Sequence, residues 1–185
     1  ANTGTVIWKV NREDDPRWTH GHTGWAADIW DGAAGIECVA NRAGHDDTNL
    51  VLFSADGQVL LEPFPFGYQP MEWDGDPTRE LLQPSDMTLY DFDGKTLLPH
   101  PLEAPRVPAG SSFVMAADLY GDFRDELVVV TKIGNQNGIA VISATTPTEK
   151  KFITPTQSLD YRLWLGRNMG GGYRTVYDMP LVGLK

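Results

Sequence analysis

The sequence holds a single cysteine, Cys38, among its 185 residues. An internal disulfide is therefore impossible, and a thiolate-built zinc or iron–sulfur site lacks its ligands. Positive charge is scarce as well: 15 Lys and Arg stand against 25 Asp and Glu, for a formal charge of −10. Nucleic acids and anionic membrane surfaces are bound through clustered cations and counterion release, so no nucleic-acid partner is expected. No apolar run approaches the roughly 18 residues that a membrane-spanning helix needs. The first residues lack a basic segment leading into an apolar one, which reads as a signal peptide already removed or a start at an internal cut. Long helical patterns are missing too, because 19 Gly and 13 Pro are spread along the whole chain and interrupt most candidate windows.

Short β-branched, apolar and aromatic runs recur instead, at residues 5–10, 50–53, 87–90, 127–131, 139–142 and 161–165, with turn residues between nearly all of them. A tight turn followed by a strand occurs at Thr3-Gly4-Thr5, Asp56-Gly57-Gln58 and Asp93-Gly94-Lys95. The Asp-Gly pairs supply the positive φ angles of a type I′ hairpin turn. In step with these hairpins runs an acidic loop that enters a strand at a glutamate: Asp28 to Glu37, Glu72 to Glu80 and Asp118 to Glu126. Two motifs sharing a period of about 45 residues point to blades of a β-propeller. The expected architecture is all-β, with about four blades of four antiparallel strands forming the carboxy-terminal portion of a larger propeller. Residues 1–15 read as the end of a preceding blade, 16–63, 64–105 and 106–155 as repeats, and 156–185 as a closing strand and glycine-rich loop.

Carboxylates at short alternating spacing suit a hard, oxygen-seeking cation, and calcium is the expected ion. The candidate ligands are Asp28 and Glu37 in the first loop, Glu72, Asp74, Asp76 and Glu80 in the second, and Asp118, Asp122, Asp125 and Glu126 in the third. The spacing is not that of an EF-hand, whose glycine and closing glutamate fall elsewhere. A single loop of this kind is ordinarily a solvated turn, but three in register favour metal.

The densest cluster of catalytic residue types lies just before the first acidic loop. His20 and His22 can act as bases near neutral pH, and Trp18 and Trp25 can stack on sugar faces unless they serve as packing. His45 and His100 stand apart and read as surface-loop residues. Towards the carboxy terminus, Tyr161, Arg167, Asn168, Tyr173 and Tyr177 surround the run Gly170 to Gly172. That run lacks the Lys-Ser/Thr of a phosphate loop. Its polar neighbours make it a candidate binding loop, with arginine to pair a carboxylate and tyrosine to move a proton.

These residues resemble a known family. The order His22-x-Gly24-Trp25 leading to Asp28 and Gly35-Ile36-Glu37, the aspartate-rich segment Ala117 to Leu127, and the closing Tyr161-Arg162, Asn168 and Tyr177-Asp178-Met179-Pro180 look like rhamnogalacturonan lyases of the β-propeller kind, polysaccharide lyase family eleven. The resemblance covers nearly the whole chain, as the carboxy-terminal half of that propeller. It implies an eight-bladed, secreted or periplasmic protein that binds calcium in such loops and cleaves an acidic polysaccharide, rhamnogalacturonan, by β-elimination. A base removes the C5 proton of a uronate, a cation or arginine neutralises the enolate-like charge, and the C4 oxygen leaves. His20, His22, Tyr173 and Tyr177 are the candidates for the proton, calcium or Arg167 for the charge, and Trp18, Trp25, Tyr161 and Asn168 for substrate binding. The family's tail usually runs Trp-Gln-Asn closely followed by Tyr-Asn-Gln-Pro, whereas an insertion of Met169 to Arg174 separates the two parts here. Two other readings fit the same residues: a non-catalytic, calcium-stabilised module that binds glycan or protein, and a segment of a ring completed by the missing blades on another chain or by a second copy.

Overall fold

A computed structural model describes residues 5–21, 23–43, 50–65, 67–101 and 105–168. Among the described residues the chain forms three successive antiparallel sheets, each built from consecutive strands. The first holds β1 (Gly24–Ala27), β2 (Glu37–Asn41), β3 (Leu50–Phe53) and β4 (Val59–Leu61). The second holds β5 (Gln69–Met71), β6 (Glu80–Gln83), β7 (Thr88–Phe92) and β8 (Leu97–Pro99). The third is an ordered meander of β9 (Ser112–Ala117), β10 (Glu126–Ile133) and β11 (Gln136–Ile142). A 3-10 turn at Pro155–Gln157 leads into the helix α1 (Leu159–Asn168). All-β sheets with the expected four-stranded meander thus appear twice, and the third repeat shows three strands among the described residues.

Strand alternation explains how the sheets stack. Leu81 and Phe92 of the second sheet join Trp25, Val39, Leu50 and Leu52 of the first in one buried cluster. Their neighbours Leu82 and Leu89 point the other way, and with Met71 and Trp73 they meet Leu127 and Val129 of the third sheet. The second sheet is therefore covered on both faces, which is why adjacent residues Leu81 and Leu82 are both fully buried rather than alternating apolar and polar.

The far side of the first sheet is covered by the segment before it. The expected strand at residues 5–10 does not form. Trp8 instead packs on Phe53, with ring centroids 5.4 Å apart, and its indole N–H donates to the Ala55 carbonyl at 2.8 Å. Trp30 stands in the same relation to the second sheet, 6.0 Å from Phe92. Each tryptophan lies over an Asp-Gly turn: a Cβ on Gly57 would come within 2.7 Å of Trp8, and one on Gly94 within 2.5 Å of Trp30. At both turns only the glycine has positive φ, +86° at Gly57 and +91° at Gly94, so these are not the type I′ turns expected, which need two such residues.

The closing strand expected over residues 161–165 is a helix. Tyr161, Leu163 and Leu165 alternate, yet Leu163 is 57% exposed while Tyr161 is buried. The organising spacing is i,i+3, which puts the Tyr161 and Trp164 rings 5.3 Å apart. Ser158 supplies the helix start, its hydroxyl accepting the Tyr161 N–H and its carbonyl the Arg162 N–H, as a capping serine does.

Candidate functional site

The three acidic loops share one construction. The glutamate that opens the following strand turns back and accepts a backbone N–H from the residue after the loop's first acid: Glu37 from Ile29 at 3.1 Å, Glu80 from Trp73 at 2.7 Å and Glu126 from Leu119 at 2.8 Å. The first acids of the second and third loops close the turn from the other side. Glu72 accepts the Gly75 N–H at 3.0 Å, and Asp118 accepts those of Gly121 and Asp122. Glu37, Glu72, Glu80, Asp118 and Glu126 are all buried. Burial disfavours the charged form of a carboxyl: it raises those of Glu37 and Glu126, pushes Glu72 up to about 9 and Asp125 to about 6, and lifts Glu80 well above the usual range, with the Glu72 and Asp74 charges adding to the effect.

The loops are also tied to one another. In the second and third loops the residue just before the closing glutamate donates its N–H to the first acid of the preceding loop, Arg79 to the Asp28 carbonyl and Asp125 to the Glu72 carbonyl, both at 2.7 Å. The Asp125 carboxylate in turn accepts the Glu72 N–H at 2.9 Å. Arg79, whose side chain is 9% exposed, places a guanidinium nitrogen 3.5 Å from Glu72 and 3.8 Å from Asp125. It is a residue that spacing alone did not single out, and it partly offsets the burial that raises both acids.

Most of the remaining carboxylate capacity is already engaged. Asp76 accepts from the Thr78 N–H and hydroxyl, Asp122 pairs with Arg124, and the second oxygen of Asp118 accepts from Thr154. At the second loop the arrangement differs. Ligand atoms of Asp74, Glu80 and His100 lie within 4.8 Å of one another. The side chain of His100 is 5% exposed, so it is not the surface-loop residue its position suggested. Cross-strand pairing of β7 with β8 brings it there, with its N–H on the Leu89 carbonyl.

The other predicted residues fall into separate places. Trp25 is 7% exposed and lies within the first core cluster, edge-on to Phe64, so it offers no ring face to a sugar. Trp18 is half-buried, tilted against Phe53 and beneath the Arg42 guanidinium. Arg42 itself pairs with Glu62. His20 is exposed on the loop before β1. Tyr161 is buried with its hydroxyl accepting the Asp118 N–H at 2.7 Å, a packing and capping role that leaves it no surface for substrate. Arg167 and Asn168 lie in the last turn of α1. His22, His45, Tyr173, Tyr177 and the Gly170 to Gly172 run lie outside the described residues.

The family model that matches residues 1–175 is the rhamnogalacturonan lyase family 11, C-terminal domain. No curated protein and no solved structure matches the chain.

Proposed function

The chain belongs to rhamnogalacturonan lyase family 11, and on that premise we propose that it is the carboxy-terminal part of a secreted β-propeller lyase that cleaves rhamnogalacturonan-type polysaccharide by β-elimination. The observation that carries this reading is the match over residues 1–175 to the family's C-terminal domain. Three stacked meanders joined by the same loop-to-loop hydrogen bonds support consecutive blades of one ring. The outer face of the third sheet supports a further neighbour, since Val130, Ile139 and Val141 are 41%, 66% and 44% exposed on it and such apolar faces are ordinarily covered. Calcium is the ion proposed for the acidic loops, where buried carboxylates with raised proton affinity would gain from a cation.

In this reading the proton transfer falls to groups outside the acidic loops. His20 or His22, or the tail tyrosines Tyr173 and Tyr177, would take the uronate C5 proton. Arg167 would face the substrate carboxylate as negative charge develops. Bound calcium would supply further charge neutralisation there.

A second reading, a non-catalytic domain that braces the ring, is favoured by the engagement of nearly every described loop carboxylate with protein donors. Incubation with rhamnogalacturonan and with other uronate polysaccharides separates the two. Ultraviolet absorbance of unsaturated uronate ends appearing with rhamnogalacturonan supports the lyase. Binding of the polysaccharide without new ends supports the bracing domain.

A further inference from the structure

We propose that at the second acidic loop Asp74, Glu80 and His100, oriented by Asp91, form a site for a divalent transition-metal ion of the zinc type, in place of the calcium proposed for the acidic loops in general.

The three residues come from three places in the second sheet. Asp74 lies in the acidic loop, Glu80 opens β6 and His100 follows β8. Their ligand atoms lie within 4.8 Å of one another. Nothing local in the sequence requires this convergence, because only the pairing of β7 with β8 carries His100 to the loop.

The imidazole is set up as a ligand. Its Nδ1 lies 2.8 and 3.1 Å from the two carboxylate oxygens of Asp91. That contact places a proton on Nδ1, so in the neutral imidazole the lone pair lies on Nε2. Buried Nε2 has no hydrogen-bond partner among the described residues. It lies 3.9 Å from an Asp74 oxygen, too far for a hydrogen bond. An ion held at about 2.0–2.1 Å by nitrogen and oxygen draws tetrahedral ligands to about 3.3 Å apart, so the three ligand atoms, within 4.8 Å of one another, close by at most about 1.5 Å to take it. A carboxylate behind a metal-binding histidine is the usual outer partner of such a ligand, fixing its tautomer and raising its basicity.

The donor set selects the ion. Calcium prefers six to eight oxygens, whereas an imidazole with two carboxylates suits zinc and its neighbours. Asp74 is the most exposed of the three, with 20% of its side chain accessible, which leaves a path for the ion and a position for water. Glu80 brings one oxygen already fixed by the Trp73 N–H, so its carboxylate is pre-positioned.

The inference does not depend on lyase activity, and its test reads metal alone. Protein stripped with EDTA is titrated with Zn2+ and Ca2+ by calorimetry, and Co2+ is added in parallel to record its visible absorption. The expected result is a zinc site that a large excess of calcium does not displace, with the intense visible bands of four-coordinate cobalt. His100→Ala abolishes both signals. Asp91→Asn, at a carboxylate whose side chain is 43% exposed, keeps the fold by circular dichroism and weakens zinc about 10- to 100-fold. Zinc binding unchanged in both variants overturns the proposal, as does displacement of zinc by calcium or the absence of a cobalt band in folded wild-type protein. An imidazolium paired with Asp91 and Asp74 in place of a metal gives the last of these outcomes.

Discussion

The Tyr161 hydroxyl accepts the backbone N–H of Asp118 at 2.7 Å, in the place where Asp125 serves Glu72, whose N–H its carboxylate accepts at 2.9 Å. Helix α1 thus ends the series of loop-to-loop contacts with a neutral acceptor instead of a further acid. Tyr161→Phe removes that acceptor and strands a buried N–H. The expected loss is about 1–3 kcal/mol of stability, read by urea denaturation, with secondary structure retained. A change below a few tenths of a kcal/mol would show that water replaces the hydroxyl.

The repeats and the sheets were legible because their signals are local. Residues 50–53, 127–131 and 139–142 are β-rich runs, and they fall within β3, β10 and β11. The acidic loops were legible as a repeat but not as a construction, since nothing in spacing says that Glu37, Glu80 and Glu126 fold back onto backbone N–H groups. The helix at Leu159–Asn168 was hidden by alternation of Tyr161, Leu163 and Leu165, although Ser158 carried the signal of a helix cap. His100 and Arg79 were missed for one reason: strand pairing and loop-to-loop contact join residues far apart in sequence, and no periodicity records that. Trp25 has the same composition signal whether it faces a sugar or a core, and only burial decides.

Arg79 answers two buried acids at once. Arg79→Met removes the cation that holds the Glu72 and Asp125 carboxyls down against burial, so a loss of about 3–5 kcal/mol is expected at a pH of about 9 and above, where both acids ionise, and a smaller one near neutrality, where Glu72 keeps its proton. Adding Glu72→Gln to that variant recovers part of the loss at the higher pH, because one uncompensated charge is gone. Strict additivity of the two substitutions in thermal or chemical unfolding would contradict the pairing.

Stability of the metal-free protein is expected to fall as pH rises. Glu72 is pushed from 4.5 up to about 9 in the fold and Asp125 from 3.8 to about 6, chiefly by burial. Below the ordinary carboxylate range both states hold these protons. Above it the unfolded chain releases them first, so the folded state is the one that binds more protons and loses stability with rising pH. Each group contributes at most about 1.4 kcal/mol per pH unit within its window. Melting in EDTA should therefore drop between about pH 5 and about pH 8, and Glu72→Gln should flatten the slope. A melting temperature that climbs over that range sinks this account of Glu72.

The Asp-Gly turns are filled by tryptophan. Gly94 has φ +91° and an added Cβ would lie 2.5 Å from the Trp30 ring, so Gly94→Ala combines backbone strain with a clash and should cost about 2–3 kcal/mol. Gly110 has φ +75° but nothing within 4 Å of an added Cβ, and Gly110→Ala should cost only about 1 kcal/mol for the left-handed backbone. Equal costs at the two positions would mean that Trp30 yields.

The most direct measurement is the rate at which unsaturated uronate ends appear, by ultraviolet absorbance, when the complete protein containing this domain meets rhamnogalacturonan with and without EDTA. The lyase reading predicts a rise that EDTA abolishes and that calcium restores. No rise from folded, calcium-loaded protein would contradict it and leave these sheets as the bracing part of a ring.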